Sequence, residues 1–308
     1  MSLLSTSIPD PSPCDILVLS EYFCDLIFTG LPEPPRLGAD LFSQALEIAP
    51  GGAYILTTAL HRLGVRARWM ARFGNDLFSQ FVLQEARKEG LDQTLFKIYD
   101  QPLRSVSASF SFVQDRGFIS YWDTFPECHP EAVIAEQRPR WVVNAPFGDY
   151  EESCSLIDLI HTHGGRVYVD CQYTTLTLDV PGLADILRKV DVFAPNQSEA
   201  CQLTGEDDPA KAAARLAAYC PLAVVKAGGQ GAYAQCGEQR WHAPALPVEV
   251  VDTTGAGDSF NAGFLAGMLQ GLPVETCLRY GNICGGLSVT HRGGASAAPT
   301  WEELQKYL

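Results

Sequence analysis

A glycine-rich turn near the end of the chain carries one carboxylate in a setting that suits phosphate chemistry. The turn Gly255-Ala256-Gly257-Asp258 follows a β-branched apolar run and precedes an apolar segment with helical spacing. Backbone N–H groups at a helix start bind anions, and glycine lets a phosphate group approach the backbone closely. A bound phosphate would repel Asp258, which suggests that this carboxylate takes the proton of an attacking hydroxyl. The alternative is that Asp258 only caps the helix.

Two other phosphate-binding motifs do not match the sequence. The chain has no GxxxxGK[ST] segment, which excludes a P-loop. The GAGDSF segment lacks the third glycine of a dinucleotide fingerprint, and it lies near the end of the chain instead of after the first strand.

The composition narrows the range of partners. The 308 residues carry a formal net charge of -14, which argues against nucleic-acid and anionic membrane surfaces because both need clustered lysine and arginine. The spacing of the ten cysteines does not indicate a metal site or disulfides, and we expect buried thiols in a reducing compartment. No signal peptide or membrane-spanning apolar run is evident, so the sequence predicts a soluble, cytoplasmic protein. Residues 1–13, with three prolines, are predicted to be a disordered leader.

Strand and helix patterns alternate along residues 14–308. Continuous β-branched runs are typical of parallel strands that are covered on both faces, and the alternation predicts one α/β domain with a doubly wound, mostly parallel sheet. The predicted strands are 15–20, 65–73, 140–145, 166–170, 191–195 and 222–228, and the predicted helices are 52–63, 77–89, 151–162, 198–204, 208–219, 257–271 and 273–290.

Two segments follow a period of two instead. Residues 105–112 alternate serine with apolar side chains, turn at 114–117 and continue as FISYW, which predicts an antiparallel hairpin with one apolar face. Residues 41–49 alternate more weakly. These patterns suggest a small separate sheet over a pocket, with lid segments at about 28–50 and 103–124; an extension of the main sheet is the alternative.

The glycine-rich turn also resembles a family signature. DTTGAGDSFNAGFLAG resembles the C-terminal signature of the ribokinase-like (PfkB) carbohydrate kinases. Other segments resemble motifs of that family in the family's order, so the resemblance spans nearly the whole chain. They are PGGAYILTTALHRLG at 50–64 with ARFGNDLFSQF after it, APNQSEACQLTG at 194–205, KAGGQGAY at 226–233 and NICGGLSVTHRGGASAAPT at 282–300. This set favours the catalytic interpretation of Asp258.

The resemblance implies a three-layer α/β/α sandwich with a small β-sheet lid, and an ATP-dependent kinase that phosphorylates a hydroxyl group. It assigns Asp258 as the catalytic base and the backbone of Gly255, Ala256 and Gly257 as the anion hole. Asn196 and Glu199 would organise Mg²⁺, through water, and the phosphates of ATP. An amide and a carboxylate suit a hard cation that keeps several waters.

The resemblance also implies sites for the nucleotide and for a monovalent cation. Asn282 would approach the adenine, and Lys226, Gly228 and Gly231 would line the ATP site. Lys226 could equally be a strand-end lysine that reaches solvent. Asp252 and Thr254, with the loop at 292–297, match the place where relatives bind a monovalent cation such as K⁺.

The acceptor side departs from the family pattern. Ribokinases carry asparagine where this chain has Phe23, two residues before Asp25, and another asparagine soon after the glycine pair, where this chain has Tyr54-Ile55-Leu56. NAP at 144–146 and DCQY at 170–173 also lack polar residues that some relatives carry. Ordinary ribose is therefore not supported as the acceptor. By resemblance the substrate-binding residues are Asp25, Gly51, Gly52, Phe23 and Arg104.

Three functions remain open from the sequence. The first is an ATP-dependent kinase of a sugar or sugar-like molecule. The second is a nucleoside or other aromatic alcohol kinase of the same fold, favoured by Phe23 and Tyr54 in place of polar ligands. The third is a catalytically silent ligand-binding relative, against which the intact phosphate-end residues argue. Relatives often pair through the lid, so a homodimer through the lid is a further expectation.

Overall fold

The computed structural model describes residues 14–111, 116–144, 150–171 and 175–308. The predicted leader, part of the hairpin turn and the ends of the NAP and DCQY segments lie outside these ranges. In chain order the strands are β1 (Ile16–Val18), β2 (Tyr22–Thr29), β3 (Ala45–Gly52), β4 (Ala67–Trp69), β5 (Arg72–Phe73), β6 (Lys97–Ile98), β7 (Ser105–Ser111), β8 (Arg116–Trp122), β9 (Trp141–Val143), β10 (Arg166–Val169), β11 (Val192–Phe193), β12 (Leu222–Lys226), β13 (Ala232–Cys236) and β14 (Gln239–Ala243). The helices are α1 (Ala53–Arg62), α2 (Leu77–Glu89), α3 (Glu131–Gln137), α4 (Tyr150–Thr162), α5 (Leu183–Lys189), α6 (Gln197–Thr204), α7 (Pro209–Leu216), α8 (Ala256–Leu269), α9 (Val274–Ser288) and α10 (Trp301–Gln305).

The main sheet has eight strands in the order β14-β13-β12-β11-β10-β9-β1-β4. Six neighbouring strands of this sheet run parallel, and they are β4, β1, β9, β10, β11 and β12. Strands β13 and β14 extend the sheet in antiparallel fashion. Strand β1 pairs with both β4 and β9, with Ile16 opposite Ala67 and Trp141. The predicted doubly wound, mostly parallel sheet is therefore confirmed.

Helices cover both faces of the main sheet. Ile16 and Val18 pack into one cluster with side chains of α1, α8 and α9, whereas Leu17 packs into a second cluster with α4, α5 and α7. Successive residues of a strand point to opposite faces, so both faces of β1 are buried. The fold is the predicted three-layer α/β/α sandwich.

A separate sheet forms the lid, in the order β3-β2-β7-β8. The β7–β8 pair is the predicted antiparallel hairpin, with Ser105 opposite Trp122. This sheet begins at Tyr22, earlier than the predicted boundary near 28, because β2 pairs with β3 along its whole length, from Tyr22 opposite Gly52 to Thr29 opposite Ala45. Leu46, Ile48, Phe118 and Ile119 of the lid are exposed. The homodimer stays a prediction.

The region 65–73 differs from the sequence-based expectation. The predicted strand at 65–73 is two strands, since β4 joins the main sheet while β5 pairs with β6 in a two-stranded sheet.

None of the ten cysteines, all within the described ranges, forms a disulfide. Among the described helices, none combines the length and apolar character needed to cross a bilayer.

The parallel strands end at a common edge of the main sheet. Asp170 follows β10, Asn196 lies just beyond β11, and Lys226 is the last residue of β12. In an open α/β sheet, ligands bind outside the carboxyl ends of the strands. This edge therefore carries the candidate site.

Candidate active site

Helix α8 begins at the glycine-rich turn. Its N-cap residue is Gly255, with a φ of 71°, and no side chain of the described residues caps the helix. An ideal Cβ at Gly255 would lie 2.8 Å from the carbonyl oxygen of Gly294, so a larger residue would clash with the 292–297 loop. Asp258 is the third residue of the helix and not its cap, which excludes the alternative interpretation. The N–H of Ala256 donates a long hydrogen bond, of 3.3 Å, to the carbonyl oxygen of Thr253, and the next N–H groups of the first turn of α8 can receive an anion.

Asp258 lies in a cluster of charged groups. Burial, followed by the negative charge of Asp170, raises the pKa of Asp258 to about 7, while the ammonium group of Lys226 opposes this shift. The carboxylate of Asp25 contributes a smaller increase to the same pKa. A carboxylate with this pKa is matched to proton transfer near neutral pH.

Lys226 does not extend into solvent. Its side chain is 10% exposed, and its Nζ lies 2.7 Å from Oδ1 of Asp170. An ideal Cβ at Gly257 would lie 3.4 Å from the same Nζ, so the ammonium group is beside the first turn of α8. The alternative of a solvent-reaching lysine is wrong, because both partners are held inside the edge of the sheet.

Asn196 and Glu199 form a capping box at the start of α6. The side-chain oxygen of Asn196 accepts a hydrogen bond from the backbone N–H of Glu199 at 3.0 Å, and Oε2 of Glu199 accepts one from the backbone N–H of Asn196 at 2.9 Å. Burial raises the pKa of Glu199 to about 7, with Asp170 adding to the increase and the Asn196 backbone and Lys226 opposing it. The pair therefore starts a helix and also faces the charged cluster.

A cavity of about 380 Å³ lies between α9 and the segment that follows β14. Asn282 lines this cavity and donates hydrogen bonds from Nδ2 to the carbonyl oxygens of Ala243, at 2.8 Å, and Pro244, at 3.1 Å. Gly231, with a φ of 88°, faces the same segment, where an ideal Cβ would be 2.0 Å from the carbonyl oxygen of Ala243. Gly228 also has a positive φ, of 53°, in the turn between β12 and β13. The size and position of the cavity suit a nucleotide base.

Asp252 connects the glycine-rich turn to the 292–297 loop. Its Oδ1 accepts hydrogen bonds from the backbone N–H and the hydroxyl of Thr254, at 2.9 and 2.8 Å, and its Oδ2 accepts one from the backbone N–H of Gly293 at 3.1 Å. The structure thus brings together the segments predicted to hold a monovalent cation.

Asp25 lies on β2, directly over the glycine pair of β3. An ideal Cβ at Gly51 would be 2.1 Å from Oδ2 of Asp25, so only glycine leaves room for this carboxylate. Gly52, with a φ of 61°, packs in the same way against the ring and backbone of Phe23. Burial, followed by the negative charge of Asp252, raises the pKa of Asp25 to about 7. The negative charge of Asp25 also adds to the raised pKa of Asp258, so the two carboxylates are near enough to interact.

Phe23 packs against the lid hairpin. Its ring meets the ring of Trp122 edge to face, with centroids 6.3 Å apart. Phe23 is half-buried, which leaves part of its apolar surface open beside Asp25. Phe23 therefore packs into the lid and also lies two residues from Asp25, on the same face of β2.

Two other residues of the acceptor hypothesis lie elsewhere. Arg104 is exposed on the lid and pairs with Asp123 through two hydrogen bonds, at 2.9 and 3.0 Å, so we do not include it in the acceptor site. Tyr54 is buried within α1. Tyr54 therefore offers no surface to an acceptor. Of these two aromatic residues, only Phe23 supports a nucleoside or other aromatic alcohol as the acceptor.

Asp170 and Asn261 are site residues that the sequence analysis did not assign. Asn261 is buried in α8, and its Nδ2 donates a hydrogen bond to Oδ2 of Asp170 at 2.6 Å. From the sequence, Asp170 was noted only as part of the DCQY segment, which lacks polar residues that some relatives carry. Its position at the end of a predicted core strand was the available signal. Asn261, three residues after Asp258 on one helix, lies within the signature itself.

Comparison with known proteins places this arrangement in a family. The model of the pfkB family carbohydrate kinases matches residues 43–301. A 2-dehydro-3-deoxygluconokinase of Bacillus subtilis (strain 168) is 29% identical over 294 residues, which cover 87% of each chain. An uncharacterized sugar kinase of Archaeoglobus fulgidus is 36% identical over 260 residues, which cover 78% of this chain and 98% of that one.

A solved structure shares the fold. The ribokinase of Arabidopsis thaliana, complexed with ribose and ATP, has a TM-score of 0.81 at 20% identity, covering 96% of this chain and 98% of that chain. The family model matches most of the chain, and relatives named as sugar kinases match it over similar lengths. The chain therefore belongs to the pfkB family of carbohydrate kinases and is a sugar kinase with the ribokinase fold.

Proposed function

We propose that this sugar kinase transfers the γ-phosphate of ATP to a hydroxyl of an uncharged acceptor that carries a vicinal diol, with Asp258 as the general base. The observation that supports this most strongly is the position of Asp258. It lies in the first turn of α8, after an uncapped glycine turn, and interacts electrostatically with both Lys226 and Asp25. One carboxylate thus lies between the proposed phosphate site and the proposed acceptor site.

The proposed chemistry follows from this placement. Asp258 accepts the proton of the acceptor hydroxyl as its oxygen bonds to the γ-phosphorus and the bond to ADP breaks. The N–H groups of residues 255–257 stabilise the charge that spreads over the transferring group. Lys226 adds a positive charge beside the same turn.

The nucleotide would occupy the edge of the main sheet. The adenine base would lie in the cavity between α9 and the segment after β14. Asn282 holds that segment in place through its hydrogen bond to the carbonyl oxygen of Ala243. Gly228 and Gly231 shape the turn that leads from Lys226 toward that segment. ATP is supported as the donor by the fold shared with the Arabidopsis ribokinase, whose structure contains ATP.

Asn196 and Glu199 are the proposed contacts for Mg²⁺, through water. Their amide and carboxylate are oxygen-bearing groups of the kind that Mg²⁺ prefers. No group of three or more His, Cys, Asp or Glu residues in the described ranges is arranged to hold a metal, so we assign most of the coordination to phosphate and water oxygens. When bound, the ion neutralises charge on the phosphates. For a monovalent cation such as K⁺, Asp252 and Thr254 with the 292–297 loop remain the proposed site.

The charges around the acceptor pocket favour an uncharged acceptor. The negative charge of Asp252 adds to the raised pKa of Asp25, and that of Asp25 adds to the raised pKa of Asp258, so these carboxylates repel one another pairwise. Arg104, directly before β7, pairs with Asp123, and Arg72 pairs with Glu21. A carboxylate on the acceptor would therefore be repelled by these aspartates, and we do not propose the acidic sugar named for the Bacillus relative.

A nucleoside acceptor is the second candidate. The edge-to-face pair of Phe23 and Trp122 favours it, because an aromatic face stacks on a ring and cannot replace a hydrogen bond to a hydroxyl. The vicinal diol of a ribonucleoside would still suit Asp25, since a carboxylate accepts several hydrogen bonds.

A phosphoryl-transfer panel tests the proposal. ADP formation should be measured with ATP and Mg²⁺ for a panel of neutral pentoses, hexoses and ribonucleosides. Those 2-deoxy forms that lack the vicinal diol serve as controls. The acidic sugar 2-keto-3-deoxygluconate is tested alongside them. We expect phosphorylation of at least one neutral diol, confirmed by ³¹P NMR of the product. Turnover of the acidic sugar with none of the neutral diols would contradict the proposal.

A further inference from the structure

The carboxylate of Asp170 is held on both oxygens. Oδ1 accepts a hydrogen bond from Nζ of Lys226 at 2.7 Å, and Oδ2 accepts one from Nδ2 of Asn261 at 2.6 Å. The side chain of Asp170 is 18% exposed. A carboxylate fixed in this way cannot turn to follow a ligand, and it holds the ammonium group in one place.

Asn261 is itself oriented. The hydroxyl of the buried Tyr168 donates a hydrogen bond to Oδ1 of Asn261 at 2.6 Å, so Nδ2 must face Asp170. The same Oδ1 accepts a second, longer contact from Nζ of Lys226 at 3.3 Å. Tyr168, Asn261 and Asp170 thus form a hydrogen-bonded chain that ends at Lys226.

We propose that Asp170, oriented by Asn261 and Tyr168, is a positioning residue for Lys226. It holds the ammonium group of Lys226 beside the anion hole, where this positive charge stabilises the phosphoryl group during its transfer. The proposal rests on the proposed function, in which residues 255–257 receive that group. Of the three N–H donors of the ammonium, the hydrogen bonds of the described residues use two, toward Asp170 and Asn261. The third is the donor that we assign to a phosphoryl oxygen.

A purely structural role explains the ion pair of Asp170 and Lys226 less well than the proposed positioning role does. Burying two opposite charges gains little stability compared with an apolar pair of the same size, because desolvation offsets the attraction. A fixed charge aimed at developing negative charge, by contrast, lowers a reaction barrier without reorganisation. The ammonium lies beside Gly257, where that charge would develop.

Asp170 also keeps the ammonium away from two other carboxylates. The pKa values of both Asp258 and Glu199 respond to Lys226, so each attracts the ammonium. Without the charge of Asp170, Lys226 would pair with Asp258 or Glu199 instead. The base or the metal-side carboxylate would then be engaged, and the anion hole would lose its nearby cation.

A double-mutant cycle between Asp170 and Lys226 tests this. We expect Asp170→Asn to lower kcat about 10- to 100-fold, and Lys226→Met about 100-fold or more, with the acceptor KM changed less than about threefold. In the Lys226→Met background, Asp170→Asn should have no further effect on kcat. Asp158→Asn, which removes the partner of Lys189 on the surface pair between α4 and α5, is the matched control and should leave kcat unchanged.

Two outcomes would overturn the inference: a wild-type kcat in Asp170→Asn, or the same loss in both backgrounds. If Asp170→Asn does not fold, Tyr168→Phe replaces it in the cycle; it removes only the hydroxyl, and we expect a loss of about 3- to 10-fold that disappears with Lys226→Met. A wild-type kcat in Tyr168→Phe would then overturn the inference. Failure of the proposed function itself would appear separately, as near-normal turnover in Asp258→Asn.

Discussion

The carboxylate of Asp25 occupies the space that a side chain at Gly51 would fill. An ideal Cβ at Gly51 would be 2.1 Å from Oδ2 of Asp25. The glycine pair therefore does more than start α1, because it leaves room for the carboxylate that we assign to the acceptor diol. Gly51→Ala should displace this carboxylate and raise the acceptor KM about 10-fold or more, with the ATP KM nearly unchanged.

Steady-state kinetics with each substrate varied in turn measures this effect. Asp25→Ala should raise the same KM at least as much. Gly117→Ala is the control on the same lid, since an ideal Cβ there would meet the Phe110 ring at an ordinary 3.4 Å. A normal acceptor KM in both Gly51→Ala and Asp25→Ala would place the diol elsewhere.

Phe23 should determine which acceptors are preferred. Replacing it by asparagine restores a hydrogen-bonding group and removes the face that packs on Trp122. Phe23→Asn should therefore shift kcat/KM toward ordinary pentoses by about 10-fold relative to the parent's best acceptor. Competition between the two acceptors in one reaction measures the ratio directly, and an unchanged ratio would show that Phe23 packs only into the lid.

Glu199 should affect the magnesium requirement. Glu199→Gln keeps a side chain that can form the capping box with Asn196 but removes the charge. The magnesium concentration for half-maximal rate should rise about 10-fold, because the water shell around the ion loses a negative partner. Glu206→Gln, just beyond the other end of α6, should leave it unchanged. If both variants matched the wild type, Glu199 would serve only to start the helix.

Stability should fall as pH rises from about 4 to 7. Burial raises the pKa of Asp25, Glu199 and Asp258 to about 7 in the folded protein. Across that interval the folded state binds more protons than the unfolded chain, so their stabilising effect is complete below pH 4 and lost above pH 7.

Asp258→Asn removes one of these groups. Its Tm should match that of the wild type near pH 4.5 and exceed it by roughly 2–4 °C at pH 8. Thermal unfolding monitored by circular dichroism at both pH values tests this. A difference in Tm that does not change with pH would mean that Asp258 titrates normally in the folded protein.

Much of the fold follows from local sequence patterns. The predicted helix at 77–89 has the same bounds as α2, since Asp76 caps its start and Gly90, with a φ of 78°, ends it. The hairpin of β7 and β8 was predicted from its period of two. By contrast, β5 could not be separated from β4, because no turn residue interrupts VRARWMARF at 65–73 and only the partners of the two strands differ.

The site was predicted less completely than the fold. Asn196, Glu199 and Asp258 lie within motifs, so their neighbours along the chain identified them. Lys226 lies 56 positions after Asp170 in the sequence, and only the order of strands in the sheet brings them together. Arg104 was assigned to the acceptor by resemblance, whereas its pairing with Asp123 depends on the register of the hairpin.

The rate of phosphoryl transfer by Asp258→Asn tests the central claim most directly. The variant should be compared with the wild type at saturating ATP, Mg²⁺ and the best acceptor, with ATP binding measured separately by calorimetry. We predict that ATP binds with nearly unchanged affinity while kcat falls by roughly two to four orders of magnitude, because the amide cannot accept the proton. A kcat within about threefold of the wild type would contradict the assignment of Asp258 as the base.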